Sequence, residues 1–175
     1  MTSEYGASVL VHVLRDVKRQ GGRVTASHGE MLAAMDPQDL QLLQAASELA
    51  AKRAVMRVTA TPSGRSFFRI HSLNRFRSRH GESERVANDG ISQPFDPSMA
   101  SETQPNYYNC FEHYCSCLHF HDEVVKNPIA MCKHMVAALL ADATNQLESV
   151  TIQDADFAKM LCPPEDTAPH SDDEP

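Results

Sequence analysis

The chain has 175 residues, a formal net charge of −7, five cysteines and no tryptophan. That length suits one modest domain or two small ones. No apolar run approaches the roughly 18 residues of a transmembrane span, and MTSEYGASVLVHVLRDVKRQ lacks the basic start, long apolar core and small-residue cleavage site of a secretory signal. The charge is unevenly spread: residues 1–90 carry 13 Lys/Arg against 9 Asp/Glu, and residues 91–175 carry 3 against 14. Overall acidity is therefore a poor guide to partners, because a local basic segment can meet phosphate while the rest repels it.

In chain order, ASVLVHVLRDVKRQ (7–20) predicts an amphipathic helix with Val9, Leu10, Val13, Leu14 and Val17 on one broad face, stopped by Gly21-Gly22. PQDLQLLQAASELA (37–50) predicts a second helix, with Asp36 as cap, Pro37 in the first turn and Leu40, Leu43, Ala46 and Leu49 or Ala50 as the buried stripe. AVMRVTA (54–60), the turn Pro62-Ser63-Gly64 and RSFFRI (65–70) predict a β-hairpin, although the alternation is imperfect. Residues 71–106, rich in Ser, Asn, Gly, Pro and charge, read as a linker or insertion.

YYNCFEHYCSC (107–117) reads as a strand, and 118–131 as an excursion interrupted by Pro128. MCKHMVAALLADA (131–143) reads as a helix with Met135, Ala138 and Leu139 inward and Asp142 running out into solvent. Val136, Ala137 and Leu140 widen that helix's apolar face, which fits deep burial or an interface; in so small a protein, interface is the reading taken. Residues 147–161 predict a final short helix, Pro163-Pro164 closes it, and EDTAPHSDDEP reads as a disordered acidic tail. Cys115, Cys117, Cys132 and His134 form a paired C-x-C and C-x-H set of the kind that binds zinc, so the expected fold is small α+β: N-terminal helices, a short antiparallel β-sheet, and a zinc-stapled strand–helix unit. Its segments are 1–70, the 71–106 linker, a zinc unit at 107–143, a C-terminal helix at 144–162 and a tail at 163–175.

The sharpest chemical signal is Cys115-Ser116-Cys117, fourteen residues, then Cys132-Lys133-His134. Three thiolates and one imidazole form a tetrahedral zinc set, and with all four positions filled none remains to activate water. The competing reading is that these are ordinary buried thiols. Clustered cysteines without a disulfide ladder point to a reducing compartment, cytosol or nucleus. Cys110 fits core packing better than coordination, and Cys162 reads as a bystander. His113, His119 and His121 are outer-layer or surface residues, or one of them replaces His134. Lys133 faces solvent, or contacts a phosphate or an acidic partner.

C-x-C followed by C-x-H is the SWIM zinc-binding signature. YYNCFEHYCSCLHF followed by NPIAMCKHMVAALLADA resembles the Shu-complex and SWIM-domain-containing protein 7 family, as do the upstream TPSGRSFFRI and the downstream SVTIQDADFAKML. The resemblance spans residues 38–161, with a weaker match in the first helix. It implies that Cys115, Cys117, Cys132 and His134 hold Zn2+. It also implies an obligate RecA-like recombinase paralogue as partner, in complexes that promote recombinase filaments on single-stranded DNA during homologous recombination and meiosis, in the nucleus. The 71–106 segment and the acidic tail depart from the smaller family members. SWIM motifs also occur in transposases and ubiquitin-ligase proteins, so a stand-alone nucleic-acid or substrate-recruiting module is the alternative.

No catalytic set is legible, so a non-enzymatic protein is expected. Ser63-Gly64-Arg65 lacks the strand-to-helix setting of a nucleophile elbow, and no glycine spacing precedes a Gly-Lys-Ser or Gly-Lys-Thr. His119 and His121 beside Asp122-Glu123 fit a hydrophilic loop better than an acid–base pair. Residues 52–85 hold nine basic and two acidic residues. They read as a solvated linker, a nuclear-targeting patch, or a DNA contact through Arg65, Arg69, Arg75, Arg77, Arg79 and Arg85, with Phe76 stacking on a base.

Overall fold

Ser3 starts the first helix, α1 (Glu4–Arg19), by accepting the Gly6 N–H on its hydroxyl at 2.9 Å. Leu10, Val13, Leu14 and Val17 are buried on the face the sequence predicts. Gly21 and Gly22 end the helix at φ of +70° and +91°, a conformation glycine adopts without steric cost. The computed structural model describes residues 1–71, 107–124, 127 and 129–161; most of the 71–106 segment, Pro128, Cys162 and the tail lie outside them.

A helix absent from the sequence expectations, α2 (Ala26–Ala33), follows. His28 takes the position usually held by Glu or Gln in a capping box. Its Nδ1 accepts the Thr25 N–H at 3.1 Å, and its Nε2 lies 2.9 Å from the Asp16 carboxylate. In α3 (Pro37–Ala51) the buried positions are Asp39, Ala46, Leu49 and Ala50, while Leu40, expected inside, is exposed. The reason is local: Asp39 occupies the inward position, and its carboxylate accepts the Ser3 N–H at 2.8 Å and the Ser3 hydroxyl at 2.6 Å.

Five strands form one sheet in the order β4-β3-β2-β1-β5. These are β1 (Val55–Thr61), β2 (Ser66–His71), β3 (Tyr107–Phe111), β4 (Tyr114–Cys115) and β5 (Glu148–Gln153). The first four pair antiparallel as expected. β5 adds to β1 in parallel, which makes the sheet mixed. The sheet draws strands from the 1–70, 107–143 and 144–162 segments, which therefore share one structural unit.

Both sheet faces are covered, which explains the imperfect alternation in β1 and β2. Val55, Ile70 and Cys110 face a core built with α1, α3 and α5 (Lys133–Ala143). Met56, Val58, Ala60 and Phe67 face the other way, against Phe157 of α6 (Asp154–Leu161). Residues 147–161 are thus a strand and a helix, where a single helix was expected. Val150 and Ile152 alternate with polar neighbours and β-branched side chains favour a strand; Asp154 and Asp156 then supply a helix's acidic first turn.

α5 lies at the centre of the molecule. Val136 and Ala137 are fully buried within this chain, so these two residues serve internal packing rather than the interface expected of them, while Leu140 is half-buried. Small residues at Ala46 and Ala50 of α3 and at Ala137 and Ala141 of α5 belong to the same core and permit close helix approach. Asp142 does not run out into solvent. It joins three elements, accepting Arg57 of β1 at 2.7 Å and Lys18 of α1 at 2.6 Å. Because the lysine is largely exposed and the pairs are only partly shielded, Asp142→Asn is expected to cost about 1 kcal/mol, read as a lowered urea midpoint at unchanged slope.

Candidate metal centre

The first ligand pair is set by a hairpin. β3 turns at Glu112-His113 into β4, which places Cys115 directly across from Cys110. Cys117 follows β4 and opens α4 (Leu118–Val124), its carbonyl accepting the Phe120 N–H at 3.0 Å. Cys132 is the N-cap of α5, where its carbonyl accepts the Val136 N–H at 3.1 Å, and His134 lies in the first turn. The sequence treats 107–117 as one strand. The tight turn within it is what aims Cys115 and Cys117 at the start of α5.

The four side chains converge. The ligand atoms of Cys115, Cys117, Cys132 and His134 all lie within 4.8 Å of one another, and all four residues are buried. Cys115 Sγ is 3.8 Å from His134 Nδ1; tetrahedral bonds of ordinary length put such atoms about 3.6 Å apart. The residues fit a metal ion in distance, donor type and number. The imidazole is held flat against Tyr108 of β3, ring centroids 4.1 Å apart and planes 25° from parallel.

Hydrogen bonding to Cys110 and then to Cys117, with burial, holds the Cys115 thiol far above the usual range. Contacts with Cys115 and Cys117, with burial, raise Cys132 likewise. Cys117, to which Cys115 and Cys132 donate, is pulled far below that range. Three sulfurs packed this closely oppose one another's ionisation. A cation at their centre would make all three thiolates stable together.

Among the described residues, no further His, Cys, Asp or Glu joins this group. Cys110 is fully buried behind it, with its sulfur 3.2 Å from that of Cys115. His113, His119, His121 and Lys133 are exposed. A groove of about 760 Å³ opens beside the centre, lined by Cys117, Cys132, His134, Tyr107, Tyr108 and Lys133 among others. Tyr108 is the site residue that sequence reasoning missed. Its only signal was an aromatic at strand spacing from Cys110.

The arginines stand apart from this centre. Arg65 is largely exposed, 3.7 Å from Asp154, with its guanidinium 4.9 Å from the Phe157 ring centre. Arg69 is half-buried between the rings of Phe67 and Tyr107 and donates to Asn109 and to the Met160 carbonyl. Both hold the sheet to its neighbours. Arg75, Phe76, Arg77, Arg79 and Arg85 lie outside the described residues. No protein-family model, curated protein or solved structure matches the chain. Among the described residues no helix is long and apolar enough to cross a membrane.

Proposed function

We propose that the Cys3His cluster holds Zn2+ as a closed structural centre, and that the chain is a non-enzymatic SWIM-type adaptor. In this reading it pairs with a RecA-like recombinase paralogue and promotes recombinase filament assembly on single-stranded DNA in nuclear recombinational repair. The observation that carries the zinc part of the reading is the convergence of a C-x-C hairpin end and a C-x-H helix start into one buried donor set, while the recombinase pairing rests on the resemblance of the flanking sequence. Sulfur-rich sets of this kind select zinc over hard cations. Four protein donors leave no coordination position for substrate, which favours a structural role.

The zinc would join the β3–β4 hairpin and the α4 start to α5, the helix around which the core is assembled. What the ion contributes is then a fixed fold, and recognition falls to the surfaces held around it. The test is co-purification of the full chain with the RecA-like proteins of the same genome. A stable heteromer that lengthens recombinase filaments on single-stranded DNA is expected. Failure to associate with any of them, with tight salt-dependent DNA binding by the chain alone, would favour the stand-alone nucleic-acid module.

A further inference from the structure

Cys110 is a buried thiol that coordination does not use, and it lies beside a ligand that coordination needs. We propose that Cys110 and Cys115 are a latent cross-strand disulfide whose oxidation by a hydroperoxide ejects the metal. The inference rests on the reading of the Cys3His cluster as a zinc centre.

The strand geometry is specific. Cys110 and Cys115 are direct partners across β3 and β4, and their sulfurs are 3.2 Å apart. The next pair, Asn109 and Ser116, carries the ladder bond from the Ser116 N–H to the Asn109 carbonyl at 3.0 Å. Alternation in an antiparallel ladder therefore makes Cys110–Cys115 a non-hydrogen-bonded pair, whose Cα atoms approach to about 4.5 Å. That separation falls within the roughly 4.4–6.8 Å a disulfide bridges. At that separation side-chain rotation can bring the sulfurs from 3.2 Å to bonding distance.

The electron balance is complete with one peroxide. The Cys115 thiolate attacks an oxygen of hydrogen peroxide, the O–O bond breaks, hydroxide leaves, and Cys115 becomes a sulfenic acid. The Cys110 thiol then attacks that sulfur, the S–O bond breaks, and water leaves with the thiol proton. Two sulfurs lose two electrons in total, and the peroxide takes both. The groove reaches Cys117, Cys132 and His134 but is not lined by Cys115, which is fully buried, so the peroxide must pass those three side chains to reach it. A disulfide sulfur is no longer a thiolate donor, so the centre falls to three ligands, Cys117, Cys132 and His134, and loses its closed shell.

The test uses the full zinc-loaded chain, titrated with hydrogen peroxide. Zinc release is followed with a chromogenic chelator, and disulfides are mapped by mass spectrometry after alkylation. Zinc release in step with a Cys110–Cys115 crosslink is expected, with full reloading after dithiothreitol and added zinc. Cys110→Ala should still bind zinc, but its peroxide-driven release should no longer be reversed by dithiothreitol, because Cys115 oxidises beyond sulfenic acid. Cys110 left as a free thiol while zinc departs, or a crosslink only to Cys117, Cys132 or Cys162, would overturn the proposal. The mapping on the unaltered chain needs no variant to fold. A chain that forms the Cys110–Cys115 bond but never holds metal would reject the zinc reading and the ejection step while leaving the pair itself.

Discussion

Cys115→Ser is expected to abolish metal retention and to unfold the hairpin and the start of α5 together. The substitution keeps the side chain's size, so the loss reflects the missing thiolate more than a cavity. Cys115 is the ligand inside the sheet, Cys117 lies between β4 and α4, and Cys132 and His134 begin α5. One ion would thereby join the end of the sheet to the helix packed against most of the core. Structural zinc sites contribute about 10 kcal/mol or more in small domains, as large as the whole stability of a domain this size. Calorimetry should show the cooperative transition lost or moved below room temperature, with metal content near zero. A variant that still carries a full equivalent of metal and melts like the parent would refute the assignment of Cys115.

Gly6→Ala is expected to destabilise the chain by about 3 kcal/mol, the reverse of the usual gain from alanine in a helix. Gly6 lies in the first turn of α1, and a Cβ built there meets Asp39 Oδ2 at 2.1 Å and Cγ at 2.4 Å. The Asp39 carboxylate is not free to yield. It is buried, and both its oxygens bond Ser3, the residue that caps α1. Relieving the overlap breaks that cap or pushes α3 away from α1. Asp39→Ala, costly alone, should remove most of the penalty of Gly6→Ala when the two are combined, a coupling that a double-mutant cycle in urea measures directly. Additive effects would show that the two residues do not meet as described.

How much of this was legible in the sequence depended on the length scale of the signal. α1, α3 and α5 could be read because apolar residues at helical spacing and flanking caps agree. The Cys3His cluster could be read because core packing alone seldom sets three thiols and an imidazole in two tight pairs. α2 was missed because its cap uses His28 where Glu or Gln is usual, and Gly29 weakens its pattern. β5 was missed because a six-residue strand running into an eight-residue helix resembles one longer helix when only apolar positions are counted. The inward placement of Asp39 and the burial of Val136 and Ala137 depend on which elements pack together, and no single segment encodes that. The Cys110–Cys115 register likewise required the turn at Glu112-His113, hidden within an aromatic run that reads as one strand.

The central claim is a closed Cys3His zinc centre, and its most direct test is metal quantitation with X-ray absorption on the purified full chain. About one zinc per chain, bound by three sulfurs at about 2.3 Å and one nitrogen at about 2.0 Å, is expected. Metal-free, folded protein whose cysteines all react readily with a thiol reagent, or zinc coordinated mainly by oxygen, would contradict it.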